Sequence, residues 1–251
     1  MMDMKSIEEL SLNNWPALST LLYDGWVLRF AEGYTKRANS IQPLYNSTLD
    51  LNTKIAQCES IYSAHQLQTT FKITPYVQPP NLDDVLQNKG YSILDPTSVQ
   101  TLALNQLNEP LLHSVTIEEQ LDTEWINNYC KLNRVAAKQK DIMKRLLSNI
   151  QTKTGFITLY FEDQVVACGL GVIERSYIGL YDIVTDAHFR NRGFGEQMIL
   201  NLLKWGRENG AAYSYLAVVT QNEPALRLYS KLGYTEIYTY WYRVKDSMLL
   251  R

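Results

Sequence analysis

The sequence predicts an α/β (α+β) fold in two domains, on three observations. A chain of 251 residues has room for two ordinary domains of about 100 to 150 residues, each able to bury a core. Strand-like and helical runs alternate through the C-terminal half. Residues 82–91 also align with residues 225–234 at an offset of 143, sharing apolar positions and a closing Gly-Tyr, Gly90-Tyr91 and Gly233-Tyr234. In both copies the glycine suits the left-handed residue that ends a helix. The strand-like run 70–74 precedes the first copy as the run 213–219 precedes the second, so a true repeat would give both halves one fold.

The polar stretch 105–110, ending in Pro110, lies between strand-like runs at 99–104 and 115–117 and reads as a linker. It divides an expected domain of residues 1–108 from one of residues 112–251. Beyond it, helices are expected near 122–133 and 136–150. Strands follow near 155–161 and 164–174, joined at Glu162-Asp163-Gln164, which makes a hairpin. A third strand near 177–185 runs into a glycine-containing turn and a helix near 194–209. That helix carries Phe194, Met198, Ile199, Leu202, Leu203 and Gly206 as one apolar stripe. The next strand, 213–219, completes a β-α-β unit with a right-handed crossover. A short helix at 223–232 and a strand near 235–244 close the chain.

Composition removes several classes of function. The 24 basic and 26 acidic side chains leave a formal charge of −2, which offers no global field for a nucleic acid, so any anion site must be local. No apolar run approaches the roughly 20 residues that span a bilayer, and the polar N-terminus points to the cytoplasm. Cys58, Cys130 and Cys168 are widely spaced, as are His65, His113 and His188, so neither a disulfide framework nor a metal site is expected.

The segment 183–195 carries the chemistry. It is the end of a strand followed by Arg190-Asn191-Arg192-Gly193-Phe194-Gly195, an Arg-x-x-Gly-x-Gly turn that opens an amphipathic helix. Such a turn suits phosphate: glycines permit sharp, close backbone, successive N–H groups converge, and the helix N-terminus adds partial positive charge. Taken by itself it also fits a plain strand-to-helix connection. After the next strand comes Asn222-Glu223-Pro224-Ala225, running on to Tyr229 and Gly233-Tyr234.

Together these segments resemble the GNAT superfamily of acetyl-CoA-dependent N-acetyltransferases. The family signature is Arg/Gln-x-x-Gly-x-Gly/Ala followed by Asn-x-x-Ala-x-x-Leu-Tyr-x-x-x-Gly-Tyr/Phe, and the resemblance covers the C-terminal half. It implies two GNAT-like domains, each a mixed, mostly antiparallel twisted sheet flanked by helices, the N-terminal one degenerate. It also implies acetyl-CoA as co-substrate, with a site of Ile183, Val184, Thr185, Arg190, Asn191, Arg192, Gly193, Phe194, Gly195, Asn222, Ala225 and Tyr229. The turn would cradle the pyrophosphate, Ile183 and Thr185 would pair their backbones with the pantetheine arm, and the Ile183 amide would polarise the thioester carbonyl. Asn222 would support the arm, Ala225 would leave it room, and Tyr229 would protonate the departing thiolate. A phenol of pKa about 10 stays protonated beside a thiol of about 8.5. By spacing alone, Tyr229 is a core residue on the Ala225, Leu228, Leu232 stripe, and it is the family pattern that gives it the acid's role. The pattern departs from its commonest form at Ala187, where proline is frequent, and Asn191, where glycine is frequent.

An alkyl amine of pKa about 10.4 is only roughly one part in 2,500 neutral at pH 7, so the acceptor needs a base or a water chain. Tyr181, Asp182 and Glu174 are the candidates, each also readable as a solvated edge residue, so the sequence assigns no base. Lys131, Arg134, Lys138, Lys140, Lys144 and Arg145 form a run with the single acid Asp141, read as a solvated face or as a lip for an acidic substrate or the CoA 3′-phosphate. Tyr238, Tyr240 and Tyr242 alternate on the final strand, either packed against neighbours or lining an acceptor cleft.

At the offset of 143, Leu86 stands where Tyr229 does and Pro79 where Asn222 does, and no glycine lies between Gly33 and Gly90. The N-terminal half is therefore expected not to bind CoA, and instead to brace the catalytic half and wall its acceptor site. Its distinctive features are Trp15, Trp26 and the segment 33–40, otherwise a hairpin turn with core tryptophans. Besides an enzyme acting on a primary amine, two further readings fit: a non-catalytic acyl-CoA sensor, and transfer of another acyl group to a peptide or a small thiol precursor. Small amines, antibiotics, protein α-amines and lysine side chains are all compatible acceptors, with no oligomeric state implied.

Overall fold

The computed structural model describes residues 4–245, which form two compact units. The N-terminal unit holds residues 17–98, 219–221 and 238–245; the C-terminal unit holds 4–16, 99–218 and 222–237. The units are therefore not the linear halves expected from residues 105–110. That stretch stays within the C-terminal unit, where Glu109 accepts from Lys204 and Arg207 at 2.8 Å each. The chain passes between the units inside a strand, after Ser98.

Helix α1 (Met4–Asn14) belongs to the C-terminal unit. In the N-terminal unit β1 (Ser19–Tyr23) and β2 (Trp26–Phe30) form a hairpin, and β3 (Ile41–Gln42) pairs antiparallel with β2. Helix α2 (Leu51–Ala64) then crosses over to β4 (Thr70–Ile73), which lies parallel to β3. Helix α3 (Leu82–Asn88) leads into β5 (Tyr91–Ala103). Segment 33–40 is the loop of the β2–β3 hairpin, held by Asn39 Oδ1, which accepts from Ala31 and Gly33 N–H at 2.7 and 3.0 Å. Trp26 is a core residue here, with Leu28, Ile55 and Phe71.

In the C-terminal unit β6 (Val115–Glu118) precedes α4 (Thr123–Asn133) and α5 (Ala137–Leu147). Then β7 (Lys153–Phe161), β8 (Gln164–Glu174) and β9 (Tyr177–Thr185) form an antiparallel meander, with β6 paired to β7. Helix α6 (Phe194–Glu208) crosses to β10 (Tyr213–Val219), parallel to β9, and α7 (Glu223–Leu232) leads into β11 (Thr235–Lys245). The apolar stripe of α6 is buried, with Met198, Ile199, Leu202 and Leu203 in the core of the unit. Trp15, expected with the N-terminal half, is part of this unit, stacked on Tyr181 at 5.6 Å.

The two units repeat one order, and the offset of 143 reaches further than the matched decapeptide. Helix α2 begins at Leu51 and α6 at Phe194; β4 begins at Thr70 and β10 at Tyr213. In each unit an antiparallel hairpin and third strand are followed by a helix and a parallel strand.

The C-terminal part of β11 pairs with β4 in the N-terminal unit, Tyr242 opposite Lys72. There the stripe of tyrosines is packed: Tyr238 meets Tyr76 edge-on, Tyr240 meets Tyr242, and the Lys72 ammonium lies 4.0 Å from the Tyr240 ring. Arg243, almost fully buried, forks onto Asp83 of α3 through Nε at 2.7 Å and Nη2 at 3.0 Å, and also donates to Gln87 and to the Tyr91 carbonyl. Burial pushes the Asp83 carboxyl up, but the Arg243 bonds outweigh it and hold the group below the usual range.

Removing one partner of a buried, hydrogen-bonded pair leaves the other charge uncompensated, so Asp83→Ala should cost about 3–5 kcal/mol in denaturant unfolding. Because the folded pKa is depressed, the stabilisation is complete above the unfolded value of about 3.9 and lost as pH falls below it. The gap between wild type and variant should therefore shrink at pH 3 relative to pH 7; an unchanged gap would show that the Asp83 charge contributes nothing.

Candidate active site

Strands β9 and β10 pair over only three residues, Tyr177 with Tyr213, Ile178 with Ser214 and Gly179 with Tyr215, and then part. Two features make the opening. Over Gly179 the rings of Tyr215 and Tyr181 close together: a Cβ there would lie 2.7 Å from Tyr215 Cζ and 2.8 Å from Tyr181 Cε2. The two hydroxyls meet at 2.7 Å, Asn14 Nδ2 donates to the Tyr215 hydroxyl at 3.0 Å, and Thr152 Oγ1 donates to Asn14 Oδ1 at 3.1 Å. Burial, with the Tyr181 hydroxyl adding, pushes the Tyr215 phenol well above its ordinary pKa.

The second feature is a bulge. Opposite β8, Leu170 faces Tyr181 and Cys168 faces Val184, so Asp182 and Ile183 stand against Gly169 alone. Asp182 takes a left-handed φ of 50°. Its Oδ1 accepts from the Tyr129 hydroxyl at 3.1 Å, and that hydroxyl accepts from Asn133 Nδ2 at 2.8 Å. The Tyr129 ring stacks on Trp125 at 5.3 Å, whose Nε1 donates to the Ile157 carbonyl at 3.0 Å. Trp125, Tyr129 and Asn133 recur every four residues on α4 and fix one side of the bulge.

The carboxyl ends of β9 and β10 lead to the starts of α6 and α7, the end of a parallel pair where ligands collect. Asn191 and Gly193 both have positive φ, 59° and 84°, and asparagine tolerates that conformation better than most residues, which is why it can stand where glycine is frequent. Gly193 is the N-cap of α6 and no side chain caps the helix. A Cβ on Gly193 would meet nothing within 4 Å, so this side of the turn is open. Arg190 Nε donates to the Thr185 carbonyl at 3.2 Å, and the Arg192 guanidinium lies over the rings of Phe161, Phe189 and Phe194 at 5.3, 5.1 and 5.2 Å. Both cations are held beside the turn. At Gly195 a Cβ would approach Thr185 Oγ1 to 3.0 Å and Leu228 Cδ2 to 3.5 Å, so β9, α6 and α7 converge here.

Val184 is buried in the β8 ladder, while Ile183 and Thr185 are partly exposed. Asn222 Oδ1 accepts from the Ala225 amide at 3.3 Å, so its carbonyl caps α7. Tyr229 is buried in the core of the unit with its ring 5.7 Å from Tyr234. The base candidates separate by position. Glu174 pairs with Tyr177 at the opposite end of β9, roughly 20 Å along the strand from Ile183, and holds the Asn13 amide. Tyr181 is buried in the tyrosine pair, and Asp182 adjoins Ile183. Neither the partners of Asp182, Tyr129 and Asn133, nor Asn14 was read from the sequence; the four-residue spacing of Trp125, Tyr129 and Asn133 was the visible signal. Among the described residues, no three His, Cys, Asp or Glu side chains are grouped to hold a metal, and no helix is long and apolar enough to cross a membrane.

A meander that ends in a bulged strand, parted from its parallel neighbour above an uncapped helix start, defines a protein of the GNAT superfamily. The chain belongs to the acetyltransferase family described as "Probable histone acetyltransferase Rv0428c C-terminal", whose model matches residues 2–243. It is 27% identical over 247 residues to the "Uncharacterized N-acetyltransferase YobR" of Bacillus subtilis (strain 168), covering 97% of this chain and 99% of that protein. Among solved structures it resembles a GCN5-related N-acetyltransferase from Kribbella flavida, with a TM-score of 0.75 and 15% identity over 98% of this chain and 97% of that one. A tandem GNAT protein from the clavulanic acid biosynthesis pathway matches with a TM-score of 0.65 and 12% identity, over 96% and 88% of the two chains.

Since no Cβ fits beside the two tyrosine rings, Gly179→Ala should displace them and cost about 1–3 kcal/mol by overpacking. Urea unfolding checks this, and stability equal to wild type would mean that the rings do not define the point where the strands part.

Proposed function

We propose that this chain is a GNAT-type N-acetyltransferase that moves the acetyl group of acetyl-CoA onto a primary amine by direct attack in a ternary complex, acting in the cytoplasm. The parting of β9 from β10 above the open α6 turn supports this best. It leaves backbone edges for an extended pantetheine arm, and at its mouth converging N–H groups, a helix dipole and two arginines for a pyrophosphate. In this reading Ile183 and Thr185 pair with the arm, and residues 190–195 take the pyrophosphate. Asn222 keeps its amide Nδ2 for the arm while its carbonyl caps α7.

The amine nitrogen attacks the thioester carbonyl carbon, whose oxygen becomes an oxyanion facing the Ile183 amide. A preorganised donor of this kind contributes several kcal/mol. The new C–N bond stays, the C–S bond breaks, and the thiolate takes the phenolic proton of Tyr229. The amine's proton passes to Asp182, directly or through a water, leaving an N-acetylamine and CoA. Asp182 is favoured as base because it adjoins Ile183 and is held by Tyr129. Direct attack is favoured because burial pushes the Cys168 thiol up to about 12 and raises Cys130 too, so neither is a ready nucleophile. A protein lysine belongs to the acceptor class, in line with the description of the matching family.

The test is calorimetric titration with acetyl-CoA, followed by a screen of amines. Gly193→Asp should fold, since a Cβ there meets nothing within 4 Å and aspartate enters left-handed backbone more readily than most residues, yet lose at least 100-fold in acetyl-CoA affinity by repelling the pyrophosphate. Tyr229→Phe and Asp182→Asn should each lower kcat by about 10²–10⁴-fold while leaving acetyl-CoA affinity near that of wild type. A folded wild type that binds no acetyl-CoA would end this reading.

A further inference from the structure

In the C-terminal unit the turn before α6 is open. Its counterpart before α2 is not, although it lies at the same offset, with Thr48, Leu49 and Asp50 standing for Asn191, Arg192 and Gly193. The Asp24 carboxylate fills it. Thr48 N–H donates to both Asp24 oxygens at 3.0 Å, Leu49 N–H to Oδ2 at 3.0 Å, Thr48 Oγ1 to Oδ1 at 2.8 Å and Ser47 Oγ to Oδ2 at 2.7 Å. From beneath, Lys54 of α2, with its side chain fully buried, reaches Asp24 Oδ2 at 3.2 Å, Ser47 Oγ at 2.8 Å and the Asp24 carbonyl, with the Trp26 ring 3.9 Å from its ammonium.

The carboxylate arrives by a built route. Asp24 and Gly25 form the two-residue loop of the β1–β2 hairpin, both at positive φ, 43° and 82°. Gly25 lies so close to the turn that a Cβ would come within 2.1 Å of the Asn46 carbonyl oxygen, and Tyr45 N–H donates to the Gly25 carbonyl at 3.2 Å. The matching hairpin of the C-terminal unit, β7–β8, turns through Glu162 and Asp163, also both at positive φ. It brings Phe161 to Phe194 instead, at 5.0 Å between ring centroids. One hairpin covers its turn with an aromatic ring, and the other inserts an anion.

We infer that the N-terminal unit contains a phosphate cradle whose resident anion is the Asp24 carboxylate, with Lys54 as its counter-charge. The cradle is thereby closed to a second acyl-CoA, and the chain takes one. The surroundings suit a permanent anion: hydrogen bonds from Leu49 first, then from Ser47 and Thr48, hold the Asp24 carboxyl far below the usual range. Ligand chemistry follows from the donors. Two backbone amides, two hydroxyls and an ammonium would accept inorganic phosphate once the carboxylate is removed.

The experiment is anion rescue. Asp24→Gly, which keeps the left-handed turn, should melt below wild type, and phosphate should raise its melting temperature by several degrees more than it raises that of wild type at matched ionic strength. Adding Lys54→Met should abolish the excess. An equal phosphate response in wild type and Asp24→Gly overturns the inference. Should Asp24→Gly be unfolded in plain buffer, it must refold as phosphate is added while the double variant does not; failure to refold overturns it as well. The stoichiometric part rests on the proposed acetyl-CoA reading, and equilibrium dialysis finding two acetyl-CoA per wild-type chain contradicts it. The rescue uses no acetyl-CoA and is read as a difference between chains with the same α6 turn, so it stands or falls separately from the acetyltransferase proposal.

Discussion

Three paired residues hold β9 beside β10, and the geometry of the C-terminal unit depends on the pairing stopping there. A parallel ladder would ordinarily continue, because each further residue satisfies backbone groups that otherwise need water or a ligand. Here the Tyr215 and Tyr181 rings meet over Gly179, with their hydroxyls bonded to each other and that of Tyr215 also accepting from Asn14. The bulge at Asp182 and Ile183 then bends β9 away. Packing begins the divergence and register sustains it. The backbone groups left beyond that point can serve a bound chain, so one deviation from a regular sheet supplies both the room and the donors.

The turns before α2 and α6 stand at equivalent points of the two units and differ in what fills them. Both stand at the start of a long helix that follows the hairpin and third strand of its unit. Before α6 two residues are left-handed, no side chain caps the helix, and the space at Gly193 is open. Before α2 the cap is a real one, Asp50 accepting from Thr53 N–H at 2.9 Å, and the preceding amides hold Asp24. A helix N-terminus favours an anion, and before α2 that anion is the carboxylate the adjacent hairpin delivers.

The succession of elements was legible because it rests on local signals. The apolar stripe of α6, the Gly-Tyr stops and the Glu162-Asp163 turn each act within a few residues, and β8, β9 and α7 run where those signals placed them. The turn at 190–195 was legible for the same reason. What the chain does at long range was not. A bulge is a mismatch between two strands, so Asp182 shows no trace of it in its own neighbourhood; Asn14 and Tyr215 are 201 residues apart, and Asp24 meets Thr48 across a hairpin and a loop. The linear division near 108–112 failed for a related reason: a polar, proline-ended stretch marks a break in secondary structure, and here β5 carries the chain between units without one.

That last point bears on what each unit needs to be complete. The C-terminal unit takes α1 from the far end of the chain, and with it Asn14 and Trp15, which hold Tyr215 and Tyr181. It also takes the end of β5, where Leu104 N–H donates to the Ala212 carbonyl at 2.9 Å. The N-terminal unit in turn takes the end of β11, and with it Arg243, the partner of Asp83. A fragment of residues 112–251 would lack the first set and carry the second with nothing to pair it, leaving Arg243 with no carboxylate. Such a fragment is disfavoured twice over, because it loses the packing that α1 provides and exposes Tyr242 and Val244 of β11, which are buried in the whole chain. The repeat of one fold within this chain is therefore a repeat of pattern and not of separable pieces: each copy closes its core with a segment that the sequence places in the other half.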